Sequence, residues 1–191
     1  MTSPFASPDL EIRFQADAVS TDGDTGARKV GGYAVVFGAR AMIRYPGGEF
    51  AETIERGAFT DTLRSGADVR LLLEHDPRAL LARTTAGTLV LAEDERGLRF
   101  EGTVVNTSTG RDALEQVRAH NITGCSFGFV AGKYTIGRNA DGAVTSVTHH
   151  SLVLREITLT SVPAYTQTSV ALRSALAPPS PPLPGMERCS C

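Results

Sequence analysis

The chain has no tryptophan, and aromatic residues make up only 6% of it, so the core must be built mainly from aliphatic side chains. Cysteine is nearly absent. There are three, two of them in the last three residues, which excludes a disulfide framework and suits a reducing cytoplasm. No apolar run approaches the ~20 residues that a membrane-spanning helix needs. Charge of one sign is not in excess either. A formal net charge of -2 gives no electrostatic footprint for binding nucleic acid or an anionic membrane. Met1-Thr2-Ser3-Pro4-Phe5 lacks the basic and apolar regions of a secretory signal. The sequence carries no phosphate-binding loop, no dinucleotide fingerprint and no His-Glu-x-x-His motif. Cys189 and Cys191 form one lone Cys-Ser-Cys, too little for a structural metal site. Neither a cofactor nor a metal is expected.

What remains is an ordinary soluble composition, with 41% hydrophobic and 21% charged residues over 191 positions, enough for one domain. Residues 1–9 read as a flexible leader and 10–173 as the domain. Residues 174–191, which hold five of the ten prolines, read as a disordered or polyproline-like tail. Alternation at Leu10, Ile12 and Phe14 predicts a first strand, and Val30 to Phe37 a second. Gly57-Ala58-Phe59 leads into a short helical stretch. Val69 to Glu74 reads as a buried strand stopped at Pro77. Thr88 to Ala92 and Leu98 to Val105, joined by a charged turn ending in Gly97, carry a hairpin signal. Ser108-Thr109-Gly110 opens the clearest helix, Arg111 to Ala119, with Leu114 and Val117 on one face. After the turn Asn139 to Gly142, Val144 to Val162 supplies one long strand or two short ones. The fold class expected is α+β and β-rich: a small closed or partly open β-barrel flanked by a few helices.

Ile122 to Phe129 concentrates the chemical interest. Strand alternation puts Cys125, Phe127 and Phe129 on one face, with Gly124, Ser126 and Gly128 on the other. A hydroxyl between two glycines has room around it, and the glycines also leave backbone N–H groups for an oxyanion. Taken alone, the pattern is more often a sign of close packing between two strands. A serine needs a base within hydrogen-bond reach to become a nucleophile. His75 is the candidate, aligned with Val69, Leu71 and Leu73 at a strand end, although an isolated histidine there is more often a simple cap. Glu156, on the same face as Leu152 and Leu154, is a carboxylate on an apolar strand. It could orient an imidazole or serve a structural ion pair. His149 and His150 are rival third members. Cys125, by its parity with Phe127, points into the core rather than toward a substrate.

These segments together resemble the prohead (capsid maturation) serine proteases of tailed bacteriophages, distant relatives of the herpesvirus assemblins. The resemblance runs from about Val30 to Val170 in the family's order. Gly32 to Phe37 is similar to its first strand, and Glu52-Thr53-Ile54 with Gly57-Ala58-Phe59 to its E-x-I-x-x-G-A-F signature. Leu71 to Asp76 is similar to the histidine segment. Leu80 to Thr84 resembles L-G-R-T, with Ala82 in place of the glycine. Gly110-Arg111-Asp112 opens the helix, Ser126 to Phe129 matches the nucleophile segment, and Arg155-Glu156-Ile157 to Pro163-Ala164-Tyr165 resembles the closing motif. The resemblance implies an assemblin-like fold and a serine endopeptidase with Ser126 as nucleophile, His75 as general base and Glu156 as the orienting member. In the assemblins a second histidine orients the base, and their oxyanion arginines have no match here. The implied substrates are scaffold, or a scaffold-like part of the major capsid protein, and the protease itself. A homodimer is a further candidate assembly, with neither nucleic acid nor membrane as partner. The implied place is the host bacterial cytoplasm, inside the assembling procapsid, with the enzyme virion-associated or released by self-cleavage. The tail is a candidate tether and self-cleavage segment. The alternative is a non-catalytic assembly or scaffolding module with the same fold.

Overall fold

The computed structural model describes residues 11–15, 20–21, 28–45 and 48–161. The expected leader and the Pro-rich tail lie outside the described residues. In chain order the strands begin with β1 (Glu11–Gln15), β2 (Ser20–Thr21), β3 (Lys29–Val36), β4 (Arg40–Tyr45) and β5 (Gly48–Ile54). Helix α1 (Thr60–Arg64) follows, then β6 (Arg70–Leu73), β7 (Asp76–Arg83), a 3₁₀ turn (Thr84–Ala86), β8 (Leu89–Glu93) and β9 (Gly97–Thr103). The second half runs α2 (Ser108–Arg118), β10 (Gly124–Ala131), β11 (Tyr134–Arg138), β12 (Val144–His149) and β13 (Leu152–Thr160).

The described strands form three sheets, ordered β1-β10-β13-β6-β7, β11-β12-β5-β4 and β2-β3-β9-β8. Each has two end strands, so a closed barrel is not seen among the described residues; the fold is mostly β with few helices. The hairpin expected around Gly97 is present as β8–β9, in antiparallel register. A Cβ on Gly97 would sit 1.9 Å from the Val35 carbonyl oxygen, so the close approach of β3 and β9 requires glycine there. The helix expected from Arg111 starts earlier, at Ser108, because the Thr107 hydroxyl accepts the Gly110 N–H at 3.0 Å and caps the first turn. Its Ala113, Leu114 and Val117 are buried. Gly110 is needed as well, since a Cβ would lie 2.2 Å from the Val105 carbonyl oxygen.

Two departures from simple alternation decide where the chemistry sits. The first is a bulge between β10 and β13. Gly128 pairs with Glu156 but Phe129 pairs with Leu154, so Arg155 is extra. The strand changes phase there. Leu152, Leu154, Ile157 and Leu159 all enter the main core, and Glu156 and Thr158 fall on the opposite face. The expectation that Glu156 shares a face with Leu152 and Leu154 is therefore corrected.

The second departure is at Pro77. The strand β6 ends at Leu73, and Pro77 lies inside the next strand, β7. Proline is tolerated there because β7 is an end strand of its sheet.

The main core joins Phe59, Phe127 and Phe129 with aliphatic residues from β3, β6, β7, β9, α2, β10 and β13. Phe59 meets Phe127 edge-on at 6.3 Å, and Phe127 stacks on Phe129 at 5.5 Å. These contacts fix the core-facing side of β10. A smaller cluster of Phe50, Val144 and Val147 serves the β11-β12-β5-β4 sheet.

Candidate active site

Strand β10 lies between β1 and β13, hydrogen-bonded to both. Its face assignment is as expected: Cys125, Phe127 and Phe129 belong to the core. Ser126 is directly opposite Thr158, and Gly128 opposite Glu156, so these groups share one face. That face is not open, however. Ser126 is 0% exposed, and Gly124 and Gly128 are buried too. The glycines make room around the hydroxyl without exposing it.

His75 does not continue the β6 strand. Leu73 pairs with Asp76, and the two residues between them, Glu74 and His75, have φ of 48° and 58°. Positive φ at both central positions of a two-residue hairpin loop is the mark of a type I′ turn. Such turns favour asparagine and glycine. A residue with a full side chain in this region carries strain on the order of 1–3 kcal/mol. The expected row Val69, Leu71, Leu73, His75 thus breaks at Leu73. Because β6 runs parallel to β13, with Leu73 opposite Leu159, the turn sits at the C-terminal ends of both strands.

There the imidazole meets the carboxylate. His75 Nδ1 is 2.8 Å from Glu156 Oε1. A carboxylate can only accept, so Nδ1 carries the proton and Nε2 is the basic nitrogen. Glu156 is 5% exposed, and a buried carboxylate needs such a partner. Its other oxygen lies 3.8 Å from the Arg70 guanidinium, near enough for charge attraction but too far for a hydrogen bond. The His75 backbone N–H donates to Thr158 Oγ1 at 3.0 Å. Thr158 therefore faces Ser126 on one side and holds the histidine's main chain on the other.

The rival groups lie elsewhere. His149 Nε2 is 2.9 Å from Glu52 Oε1 in the second sheet, both residues buried. His150 is exposed, between Glu55 at 2.8 Å and the Thr135 hydroxyl at 2.7 Å. The Cys125 thiol donates to the Tyr33 carbonyl at 3.3 Å within the core. Among the described residues, no three His, Cys, Asp or Glu side chains gather as a metal site. The sequence reading missed Thr158, Arg70 and Glu74. A hydroxyl two positions past Glu156 and a non-glycine pair at a hairpin turn were the only signals for them.

The comparisons with known proteins agree with this architecture. Among solved structures, the bacteriophage T4 capsid assembly protease is similar in fold, with a TM-score of 0.53 at 10% sequence identity. The superposition covers 81% of this chain and 99% of that one. No curated protein sequence matches. The model of the Caudovirus prohead serine protease family matches residues 14–178. That span includes the turn, the paired strands and the buried serine, and with it the chain belongs to the Caudovirus prohead serine protease family.

Proposed function

We propose that the chain is a serine endopeptidase in which Ser126 is the nucleophile, His75 the general base and Glu156 the group that orients it. The observation carrying this reading is the His75–Glu156 contact of 2.8 Å, made beside Thr158, the β13 residue that stands opposite Ser126. His75 Nε2 takes the Ser126 hydroxyl proton as the oxygen attacks a peptide carbonyl. Glu156 stabilises the imidazolium formed in that step. The same nitrogen protonates the departing amine, and a water molecule deprotonated by His75 then releases the acyl group. Ser126 is enclosed, so the peptide reaches it only after the groups covering that face move aside.

Family membership supports substrates in the assembling procapsid: scaffold or a scaffold-like region of the major capsid protein, and the chain itself. The domain is taken to span 10–173, with the Pro-rich tail as tether and self-cleavage segment. Host cytoplasm, within the procapsid, is the corresponding place of action. Co-expression with the cognate major capsid protein tests the mechanism by comparing the wild type with Ser126→Ala and His75→Ala. Cleavage by the wild type alone is expected. Equal cleavage by all three would refute the mechanism, and cleavage by none would favour an assembly module with the same fold.

A further inference from the structure

The turn that carries His75 is unfavourable by its backbone and must be held from outside. Four hydrogen bonds tie it to the end of β13 and to Ser161 just beyond. The Glu74 N–H donates to the Leu159 carbonyl at 2.9 Å, and the His75 N–H to Thr158 Oγ1 at 3.0 Å. The Thr160 hydroxyl donates to Glu74 Oε2 at 2.7 Å, and the Ser161 N–H to Glu74 Oε1 at 2.7 Å. The last two are charge-assisted and use both carboxylate oxygens.

The topology explains why a side chain does this work. The parallel ladder between β6 and β13 stops at Leu73 and Leu159, because β6 turns away into β7. Beyond that point, among the described residues, no strand pairs with β13 on the β6 side. The Glu74 carboxylate takes the place of the missing strand and accepts the Ser161 N–H.

We propose that Glu74 is a positioning residue for the reaction. Its carboxylate latches the two-residue turn to β13 and so fixes the His75 imidazole between Glu156 and Ser126. The inference rests on the reading of His75 as the base. Glu74 is exposed as a residue; partial desolvation of its carboxylate disfavours the charge, but the Thr160 hydroxyl and the Ser161 donor outweigh that and hold Glu74 below the usual glutamate range. The latch is therefore closed at neutral pH.

The test has two arms on the full chain. The first is the His75 Nδ1–H proton resonance, assigned by its loss in His75→Gln, which reads the bond to Glu156 whether or not the protein cleaves anything. Wild type should show it far downfield. Glu74→Gln keeps one acceptor and should retain a weakened signal, and Glu74→Ala should lose it. The second arm is the rate of capsid-protein cleavage. Glu74→Ala should lower kcat about 100-fold with KM within about 2-fold, the scale of an ångström-sized misplacement, and Glu74→Gln about 10-fold. An unchanged resonance in Glu74→Ala overturns the latch. A lost resonance with unchanged cleavage upholds the latch and removes His75 as the base. Should Glu74→Ala fail to fold, Glu74→Gln and Thr160→Val, which deletes one donor, decide by the same two readouts.

Discussion

Among the described residues two histidines pair with a buried glutamate, and the lengths are nearly the same: 2.8 Å for His75–Glu156 and 2.9 Å for His149–Glu52. Their surroundings differ in every other respect. His149 lies within a strand, with Phe129 edge-on at 5.4 Å and Tyr134 at 6.1 Å, in the second sheet. His75 lies on a strained turn, its side chain 21% exposed, with a guanidinium near its carboxylate and a serine on the same sheet face. A third imidazole, His150, stands between a carboxylate and a threonine hydroxyl at the distances of a hydrolytic relay, but on the surface. An imidazole–carboxylate contact is thus no mark of chemistry by itself. What distinguishes His75 is a buried serine on the sheet face that bears its glutamate, together with a turn at positive φ, whereas water competes for the bonds that exposed His150 makes.

Removing groups from each region should separate them. The largest effect belongs to the first. Ser126→Ala and His75→Ala should abolish cleavage, and Glu156→Gln should lower kcat about 10⁴-fold, measured as capsid-protein turnover with the fold verified by circular dichroism. An equal loss in His149→Gln would erase the distinction. The Glu74 substitutions come next, at the 100-fold and 10-fold levels given above.

The second pair should answer in stability instead. Glu52→Gln or His149→Gln breaks a fully buried pair and should cost about 3–5 kcal/mol of unfolding free energy in a urea titration. The kcat of the folded fraction should be unchanged.

Acid should strike the two regions unequally. Asp68, held low by Arg83, Asp76, held low by Arg78, and Glu74 all flank the β6–β7 hairpin. The unfolded chain binds protons at these groups more tightly than the folded one does, so they stabilise the fold above the ordinary carboxyl values of 3.8 and 4.5. That stability drains away as pH falls through the lower folded values. Hydrogen-exchange protection should accordingly fail in β6–β7 before β5–β12. The smallest effect is expected at Thr135→Ala, where cleavage should stay within about 2-fold of wild type.

Much of this arrangement could be read from residue order. Alternation was enough to sort Cys125 from Ser126, because β10 is regular from Gly124 to Gly128. Hydroxyl and glycine signals located α2 and the β8–β9 hairpin, where local chemistry and fold agree. Alternation failed at Arg155, since a bulge leaves no mark in a strand of mixed residues. It failed again at Glu74-His75, where the turn lacks the residues its geometry favours and is stabilised by β13 from 83 positions away in the case of His75. Strands β4, β5 and β11 went unread because their pairing is set by one another rather than by strong local periodicity. Thr158 and Glu74 could not be weighed without knowing that β6 and β13 run side by side.

The bulge at Arg155 has a consequence for how this chain can vary over time. The residue is exposed and its side chain makes none of the core contacts, so its chemical identity is nearly free. Its presence is nearly free as well. Deleting it would leave Glu156 opposite Gly128 and Leu154 opposite Phe129 as one unbroken ladder, with Ile157 still in the core and Glu156 still on the Ser126 face. Position 155 is where this strand can change length without turning its side chains over.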